Sequence, residues 1–559
     1  MRKFVNDPRA AMIEMLEGVA DANPAVALIP EFGVIVRADV PAAPAARSVA
    51  LISGGGSGHE PAHAGYVGPG MLTAAVAGDV FTSPSVDAVL AGIEAAAGPA
   101  GALLIVKNYT GDRLNFGLAA ELARARGIPC EIAVVADDAA LRDIVAPDRR
   151  RGIAGTVLAH KVAGAEAAAG SPLADVAAAA RAAANRIATM GVALGPCAVP
   201  AAGRPGFDLG DDEMELGLGI HGEPGVRRAP RAPADAIVDA ILATLTADLA
   251  LRPGDRVALL VNGLGGTPPM ELSIVARHAL RSLRAASVQV ERLWCGNFLT
   301  ALEMPGCSLS LMRVDDAILA RLDAPTAAPA WPGAGRIAPT RRVLAARSEP
   351  ARWPAAAADP AIRAAALRVA DALEASEAAL TALDTVAGDG DLGLSLARGA
   401  AAARALPDAA FADSPTALAA VAGAVRHAIA GSSGLLYAAA LLRAASALPA
   451  SPSALDWSAA LAAAARAIGE LGGARPGDRT MLDALAPAAE AFARGLDGGA
   501  APWDAWAQAV AAADAGVAAT MSMRPRRGRA EYLGDRVLGH PDAGAAGVLA
   551  WMRAIAPDA

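Results

Sequence analysis

VALISGGGSGHEP, residues Val49–Pro61, joins a short apolar run to a loop of glycines. Val49–Ile52 has the aliphatic and β-branched side chains of a buried strand. The glycines and His59 that follow would lie at the carboxyl end of this strand, which is where open α/β sheets bind ligands. Glycines there let backbone N–H groups approach a small polar ligand, and the alternative is a tight turn without a binding role. The stretch predicts an α/β fold with a candidate site at its glycine loop.

Residues 1–323 continue this pattern. Further strands are predicted at Ala102–Val106, Glu131–Val135, Val257–Val261 and Val288–Leu293. Helical spacing is predicted at Leu114–Arg126, Met270–Arg284, Gly152–Gly170 and Pro172–Met190. Strands that alternate with helices indicate α/β units with mostly parallel pairing. The length predicts two α/β lobes that divide near Ala184–Pro205.

The chain changes character after residue 323. Residues 324–358 are rich in proline, alanine and glycine and show no period, so we predict an interdomain linker. Residues 359–559 have almost no strand signal. Ala361–Leu383 carries apolar residues at helical spacing, and similar helices are predicted around 416–430, 434–448, 458–471, 480–495 and 503–520. This half therefore predicts an all-helical domain.

Composition excludes several classes of protein. The 559 residues carry 49 Lys and Arg against 57 Asp and Glu, a net charge of −8, without a basic run, so neither nucleic acid nor an anionic membrane is an expected partner. The four cysteines have no CxxC spacing, which excludes a zinc ribbon and weakly indicates a reducing compartment. The N-terminus does not resemble a signal peptide, and the apolar runs are far shorter than the roughly 20 residues of a membrane span. The expected location is the cytoplasm.

Two further loops of the first half carry reactive side chains. Lys107–Asp112 (KNYTGD) follows a predicted strand, and Asp112 could be a general base or the N-cap of the next helix. Glu215–Gly225 (ELGLGIHGEPG) places His221 among glycines that leave its imidazole uncrowded. A lone histidine is more often structural, but a neutral imidazole can attack a carbonyl carbon. Asn262–Thr267 is another glycine loop after a strand.

The helical half contains a cluster of carboxylates. Asp384, Asp389 and Asp391 lie in LDTVAGDGDLG and could supply hard oxygen ligands for Mg²⁺, which would then bridge phosphates. The alternative is a solvated acidic turn. Three other loops combine glycine with hydroxyl or charged side chains: Gly431–Gly434, Gly477–Asp483 and Gly528–Gly534. Glycine loops that open helices can bind phosphate, so together they predict a nucleotide site.

These motifs resemble those of the dihydroxyacetone kinases. GGGSGHEP, KNYTGD, GIHGEPG and NGLGGTP resemble the substrate domain, and LDTVAGDGDLG, GSSG, GDRTMLDAL and GRAEYLG resemble the ATP-binding domain. They occur in the family's order over nearly the whole chain, as in its single-chain, ATP-dependent form, also called glycerone kinase or triokinase. The resemblance implies a two-lobed α/β substrate domain followed by an all-α helical barrel with ATP at one end.

The resemblance also implies roles in the α/β half. His221 matches the histidine that bonds covalently to the substrate carbonyl as a hemiaminal, which selects small ketones and aldehydes over polyols such as glycerol. Asp112 matches the base near the hydroxyl to be phosphorylated, and His59 matches its hydrogen-bonding partner. The positions that line the substrate pocket correspond to Gly56, Ser57 and Lys107.

For the helical half, the resemblance implies binding of ATP through two Mg²⁺ ions. The metal ligands correspond to Asp384, Asp389 and Asp391. The nucleotide-contacting positions correspond to Ser432, Ser433, Thr480 and Met481. Departures from the family's commoner residues occur at Leu392, Arg479 and Ala543, and none of them removes a metal ligand or the covalent histidine.

The activity so implied is ATP-dependent phosphorylation of dihydroxyacetone, and of glyceraldehyde, to the triose phosphate. A homodimer is implied as well, in which the domains can be swapped. Two alternatives stay open: a kinase for another short ketose such as erythrulose, and a non-catalytic carbonyl-binding regulator. FMN-cyclase activity on FAD, which some members of the family show, is not decided by the sequence.

Overall fold

The chain forms two compact units. A computed structural model describes residues 3–203, 205–344, 357–429 and 431–556. Its contacts divide the chain into Met1–Val343 and Leu344–Ala559. Strands and helices alternate in the first unit, and the second is helical. The predicted fold class, an α/β half followed by an all-helical half, is confirmed.

The first unit begins with a six-stranded sheet. Its strands are β1 (Val26–Ile29), β2 (Val34–Arg37), β3 (Ala50–Ser57), β4 (Ala74–Val80), β5 (Ala102–Lys107) and β6 (Cys130–Val135), in the order β1-β2-β4-β3-β5-β6. The last four strands of this order run parallel. The helices are α1 (Ala11–Ala22), α2 (Val86–Ala96), α3 (Thr110–Ala125), α4 (Thr156–Ala168) and α5 (Leu173–Ala184).

Both faces of this sheet are buried. Leu51 and its same-face neighbours pack against α1, α4 and α5, whereas Ile52 and its neighbours pack against α2 and α3. Alternate residues of a strand point to opposite faces, so a strand that is covered on both faces must be apolar throughout. This explains why the central strands are continuous apolar runs.

A second six-stranded sheet completes the unit. Its strands are β7 (Ile187–Ala193), β8 (Glu213–Leu216), β9 (Arg227–Pro230), β10 (Arg256–Gly263), β11 (Gln289–Gly296) and β12 (Gly306–Arg313), in the order β11-β10-β12-β7-β8-β9. Only β10 and β11 are parallel. The helices are α6 (Ala234–Asp248), α7 (Pro269–Ala285) and α8 (Asp316–Asp323). One face packs on α6 and α7, and the other shares a core with the first sheet.

The structure differs from the prediction in several respects in these sheets. The prediction of mostly parallel pairing is wrong, because only four of the ten strand pairs in the described residues are parallel. The helix predicted over Pro172–Met190 ends at Ala184, and the chain continues as β7, all of whose residues are buried. The glycines that were predicted to form a loop after the strand lie within β3 instead. Glycine is required there because a Cβ at Gly54 would lie 2.2 Å from the carbonyl oxygen of Val76 on the neighbouring β4.

The predicted linker over residues 324–358 also differs in part. Residues 345–356 lie outside the described part of the chain. The start of the segment packs on the first unit, since the N–H of Ala327 donates to the carbonyl of Pro69 and Trp331 is buried against Trp294 with 4.7 Å between ring centroids. Burial of a large aromatic side chain outweighs the irregular composition around it.

The second unit is built from α9 (Pro360–Ala375), α10 (Glu377–Ala387), α11 (Leu392–Arg404), α12 (Ser414–Ala428), α13 (Gly431–Ala447), α14 (Ala454–Gly472), α15 (Leu482–Asp497), α16 (Pro502–Thr520) and α17 (Ala543–Ile555). The single helix predicted over Ala361–Leu383 is interrupted at Ser376, and α11 and α17 were not predicted. Among the described helices, none has the length and apolar character that crossing a membrane requires.

Candidate active site

A crevice of the first unit brings together side chains from both sheets. β3 and β5 are parallel neighbours, so their carboxyl ends share one edge, where His59 and Tyr109 follow them. The loop after β8 carries His221 to the same place. The ring centroid of His221 lies 4.9 Å from that of His59 and 4.6 Å from that of Tyr109. The structure thus places the two predicted histidines side by side.

The His221 side chain is 22% exposed and faces a carboxylate. Its Nδ1 lies 3.6 Å from Oε1 of Glu223, and its backbone N–H donates to Oε2 of the same residue at 2.7 Å. Burial acts to raise the pKa of Glu223, but the hydrogen bonds from His221 hold it below its usual value. A carboxylate beside Nδ1 favours the tautomer with the proton on that nitrogen, which leaves Nε2 unprotonated. The carboxylate fits because a Cβ at Gly219 would lie 2.2 Å from Oε1.

His59 is fully buried and its tautomer is set by one bond. Its Nδ1 lies 2.8 Å from the carbonyl oxygen of Thr300, which can only accept, so Nδ1 carries the proton. The lone pair of Nε2 has no hydrogen-bond partner among the described residues. Burial, and then the charge of Lys107, lowers the pKa of His59 well below its usual value. His59 is therefore a neutral acceptor, with its ring stacked on Phe81 at 5.1 Å.

Asp112 lies in the first turn of α3, which begins at Thr110. The N-cap position belongs to Tyr109, so the alternative of Asp112 as an N-cap is wrong. The buried carboxylate accepts a hydrogen bond from Ser83 Oγ at 2.5 Å. The hydrogen bonds found for Asp112 and His59 thus lead to Ser83 and Thr300 rather than to each other.

Lys107 is fully buried at the end of β5, close to Asp112. A Cβ at Gly55 would lie 2.3 Å from Lys107 Nζ and 3.8 Å from Asp112 Oδ2, so the lack of a side chain at Gly55 is what lets the amine lie there, near the carboxylate. Burial lowers the pKa of Lys107, and the carboxylate of Asp112 opposes that shift. Together the two groups can offer a donor and an acceptor to a small hydroxyl compound.

Gly56 and Ser57 end β3 in contact with backbone. A Cβ at Gly56 would lie 2.5 Å from the backbone nitrogen of Thr82, and Ser57 Oγ donates to the carbonyl of Gly78 at 2.7 Å. Gly56 therefore packs against the segment that follows β4, and Ser57 bonds to β4 itself. Their predicted contact with substrate stays a prediction.

Four residues of the crevice were missed by the sequence analysis. Glu223 and Tyr109 lie within motifs that were singled out, so the carboxylate and the phenol could have been identified from the sequence as candidate site groups. Ser83 and Phe81 belong to no motif. Phe81 has a left-handed backbone, with φ of 59°, which brings its ring against both histidines. Only the fold reveals these two.

The acidic cluster of the second unit connects two helices. Asp384 lies in the last turn of α10, and its Oδ2 accepts from the N–H groups of Asp391 at 2.9 Å and Leu392 at 3.2 Å. This folds the loop back, so that one carboxylate oxygen from each of Asp384, Asp389 and Asp391 lies within 4.8 Å of the others. Carboxylates that converge in this way fit a hard cation such as Mg²⁺.

The predicted nucleotide contacts lie at the starts of two helices. Ser432 and Ser433 are in the first turn of α13, where free N–H groups can bind phosphate. Thr480 precedes α15 and donates its N–H to Asp483 Oδ2 at 2.8 Å. Met481 is buried in the core of the unit, so its side chain contributes to packing.

The loop that contains Thr480 also contributes a residue to a buried ion pair. The guanidinium of Arg479 is fully buried, and its Nη1 lies 3.9 Å from Oδ2 of Asp542. Nη2 of Arg479 donates to the carbonyl of His540 at 3.0 Å. Burial raises the pKa of Asp542 to about 6, although the N–H of Ala545 donates to its carboxylate. Nε and Nη1 of Arg479 are buried without a hydrogen-bond partner among the described residues, so the departure at this position leaves the guanidinium only partly satisfied.

Both units match domains of known proteins. The Dak1 domain matches residues 17–330 and the DAK2 domain matches residues 386–557. The chain is 44% identical to the triokinase/FMN cyclase of Homo sapiens, over 99% of this chain and 98% of the relative. It is 37% identical to the D-erythrulose kinase of Mycolicibacterium smegmatis, over 100% and 98%. The crystal structure of the dihydroxyacetone kinase from C. freundii in complex with AMP-PNP and Mg²⁺ superposes with a TM-score of 0.63, at 34% identity over 99% of both chains.

Proposed function

The chain belongs to the dihydroxyacetone kinase family and is an ATP-dependent triose kinase, and we propose that dihydroxyacetone and glyceraldehyde are its acceptors. We further propose that His221 holds the acceptor carbonyl covalently. The observation that carries this proposal is the imidazole of His221, which is 22% exposed and has Glu223 beside its Nδ1.

Capture begins with Nε2 of His221. Its lone pair attacks the carbonyl carbon, a C–N bond forms and the carbonyl π bond opens onto oxygen. Glu223 stabilises the positive charge on the ring and takes the Nδ1 proton. The alkoxide takes a proton from water to become a hydroxyl, and the hydroxide left behind is neutralised by the proton that Glu223 releases to solvent. The product is a neutral hemiaminal. A polyol such as glycerol has no carbonyl and cannot enter this step.

Phosphoryl transfer depends on alignment and charge neutralisation. Oδ1 of Asp112 is held by Ser83, so Oδ2 is the oxygen that takes the proton of the acceptor hydroxyl. Lys107 donates a hydrogen bond to the acceptor hydroxyl or to the phosphate group that this hydroxyl attacks. In the second unit, Asp384, Asp389 and Asp391 would hold Mg²⁺, two ions on our proposal, which supplies charge neutralisation at the phosphate oxygens of ATP.

A four-carbon ketose is the second candidate acceptor. The relative from M. smegmatis is a D-erythrulose kinase, and erythrulose has the same carbonyl chemistry. The regulator alternative is disfavoured because the nucleophile, the base and the acidic cluster are all present.

An ATP-dependent phosphorylation screen over dihydroxyacetone, glyceraldehyde, erythrulose and glycerol tests the acceptor range. We expect turnover with the first two and none with glycerol. Carbon-13 NMR of enzyme with dihydroxyacetone labelled at C2 tests the covalent step, because the carbonyl carbon becomes tetrahedral in a hemiaminal. The signal of this tetrahedral carbon should be absent in His221→Ala. A ketone signal alone in the wild-type complex would contradict covalent capture.

The homodimer stays a prediction from the resemblance, the cytoplasmic location stays a prediction from the sequence, and FMN-cyclase activity is a third question that the sequence leaves open. The human relative is a triokinase/FMN cyclase, so an assay of FAD turnover tests for FMN-cyclase activity. Analytical ultracentrifugation measures whether the chain forms a homodimer in solution.

A further inference from the structure

A chain of buried polar side chains leads from the crevice into the core. Lys107 Nζ lies 2.9 Å from His63 Nε2, and His63 Nδ1 lies 3.4 Å from Ser53 Oγ. His160 Nε2 lies 3.1 Å from the same hydroxyl. All four residues are buried, and the phosphoryl transfer described above uses only Lys107. Buried polar groups need a partner, so the direction of each bond can be worked out.

Ser53 sets the direction of the whole chain. Its hydroxyl lies 2.7 Å from the carbonyl oxygen of Ile105, which can only accept, so the single hydroxyl proton is used there. Ser53 Oγ can then only accept from the two histidines. His63 must carry its proton on Nδ1 and His160 on Nε2. The Nε2 of His63 is left as a lone pair that faces the amine of Lys107.

The charges around Lys107 agree with this direction. Burial, and then the charge of Lys107, lowers the pKa of His63 well below its usual value and that of His160 to about 3. His59 is held neutral in the same way. Asp112 is the carboxylate that acts on Lys107. The ammonium group therefore faces one carboxylate and three neutral imidazoles.

We propose that His63 is a positioning residue for Lys107, an inference that rests on the proposed function. An ammonium group has three donors. His63 Nε2 accepts one, and the carbonyl of Gly54, at 3.3 Å, accepts a second. The third is left for the acceptor hydroxyl on the side of Asp112, whose Oδ2 lies 3.8 Å from the position that Gly55 leaves to the amine. Ser53 and His160 contribute by holding the tautomer of His63.

Two substitutions at one position separate positioning from packing. His63→Leu keeps the bulk but removes the acceptor, whereas the amide oxygen of His63→Gln can still accept from Lys107. Loss of alignment at a reacting group costs up to about 10²-fold, so we expect kcat of His63→Leu to fall between about 10-fold and 10²-fold with little change in KM for ATP. His63→Gln should recover most of that loss. His278→Gln, a buried histidine bonded to Asp239, is the control and should match wild type.

The pH profile gives the readout that a packing role would not move. Without its acceptor the buried ammonium is less stabilised, so the alkaline limb of kcat/KM should shift to lower pH in His63→Leu and return in His63→Gln. Equal loss in both variants with an unchanged alkaline limb would overturn the proposal.

A measurement on the wild-type chain does not depend on the folding of any variant. Nitrogen-15 NMR distinguishes the two neutral tautomers of each of the seven histidines. We expect Nδ1–H for His63 and Nε2–H for His160, both neutral at pH 6. An Nε2–H tautomer or an imidazolium at His63 would overturn the inference, even if the enzyme is active. Absence of ATP-dependent turnover in wild type would instead contradict the proposed function, and the tautomers would still be measured.

Discussion

The crevice of the α/β unit and the acidic cluster of the helical unit prepare for their ligands in opposite ways. In the crevice, His59, Lys107 and Asp112 are buried, and their hydrogen bonds are formed before any ligand arrives. In the cluster, Asp384 is half-buried, and Asp389 and Asp391 are exposed. A covalent step needs a nucleophile and base of fixed tautomer, whereas Mg²⁺ completes its own shell with water and phosphate. The difference teaches that the groups proposed to act on the acceptor are preorganised by the fold, whereas the proposed metal ligands are left exposed.

The largest effect is expected from Asp112→Asn. The amide cannot take the hydroxyl proton, so kcat should fall on the order of 10²-fold or more. Capture of the carbonyl by His221 should survive, as carbon-13 NMR of the complex would show. Near-normal kcat would show that Asp112 only supports the start of α3.

Asp389→Ala should have the next largest effect, and it acts on the acidic cluster of the helical unit. Loss of one of three carboxylates removes a ligand from the metal site, and we expect the affinity for Mg-ADP to fall about 10-fold to 10²-fold by calorimetry, in line with losses at metal sites. Glu377→Ala, an acidic residue at the start of α10, is the control. Unchanged affinity, or equal binding of ADP in excess EDTA, would rule out the metal assignment.

A smaller effect on activity is expected from Glu223→Gln. The amide still accepts the backbone N–H of His221, but it takes no proton from Nδ1, so adduct formation should slow by about 10-fold. Stopped-flow measurement of capture at several pH values checks this. A rate equal to that of wild type would remove Glu223 from the capture step.

The smallest effect on turnover is expected from Asp542→Asn, which acts on stability. The pKa of Asp542 is raised to about 6 in the folded chain from an ordinary 3.8, so the folded state binds more protons between these values. Stability contributed by this group is present at low pH and is lost as pH rises through this window, by no more than about 3 kcal/mol. Denaturation of both proteins at pH 4 and pH 7 measures the difference. Identical pH dependence would show that Asp542 does not titrate in this range.

The fold could be predicted where one physical signal dominated. Of the five strands predicted from apolar runs, β3, β5 and β10 are buried on both faces, whereas β6 and β11 lie at sheet edges and are partly exposed. β7 could not be predicted, because Ile187–Ala193 continues an alanine-rich helix and only the neighbouring strands decide its state. The helical unit followed from its helix formers, but the break at Ser376 left no signal in the apolar spacing.

The candidate site was predictable as a set of motifs and not as a geometry. His59, His221 and Asp112 stand out in glycine-rich loops, and the fold brings the two histidines into contact. Ser83 and Thr300 lie outside these motifs, and their bonds depend on the three-dimensional fold. Tautomers depend on such partners, so they could not be predicted from the sequence.

The burial of Lys107 and His59 separates the two sites in their response to ionic strength. Dissolved ions screen exposed charges over a Debye length of about 8 Å at 0.15 M, but they do not reach groups enclosed by protein. Added potassium chloride should therefore weaken attraction at the exposed Asp389 and Asp391 and leave chemistry at the carbonyl nearly unchanged. Added salt should therefore slow the enzyme by weakening the binding of the metal and nucleotide, with little effect on the carbonyl substrate.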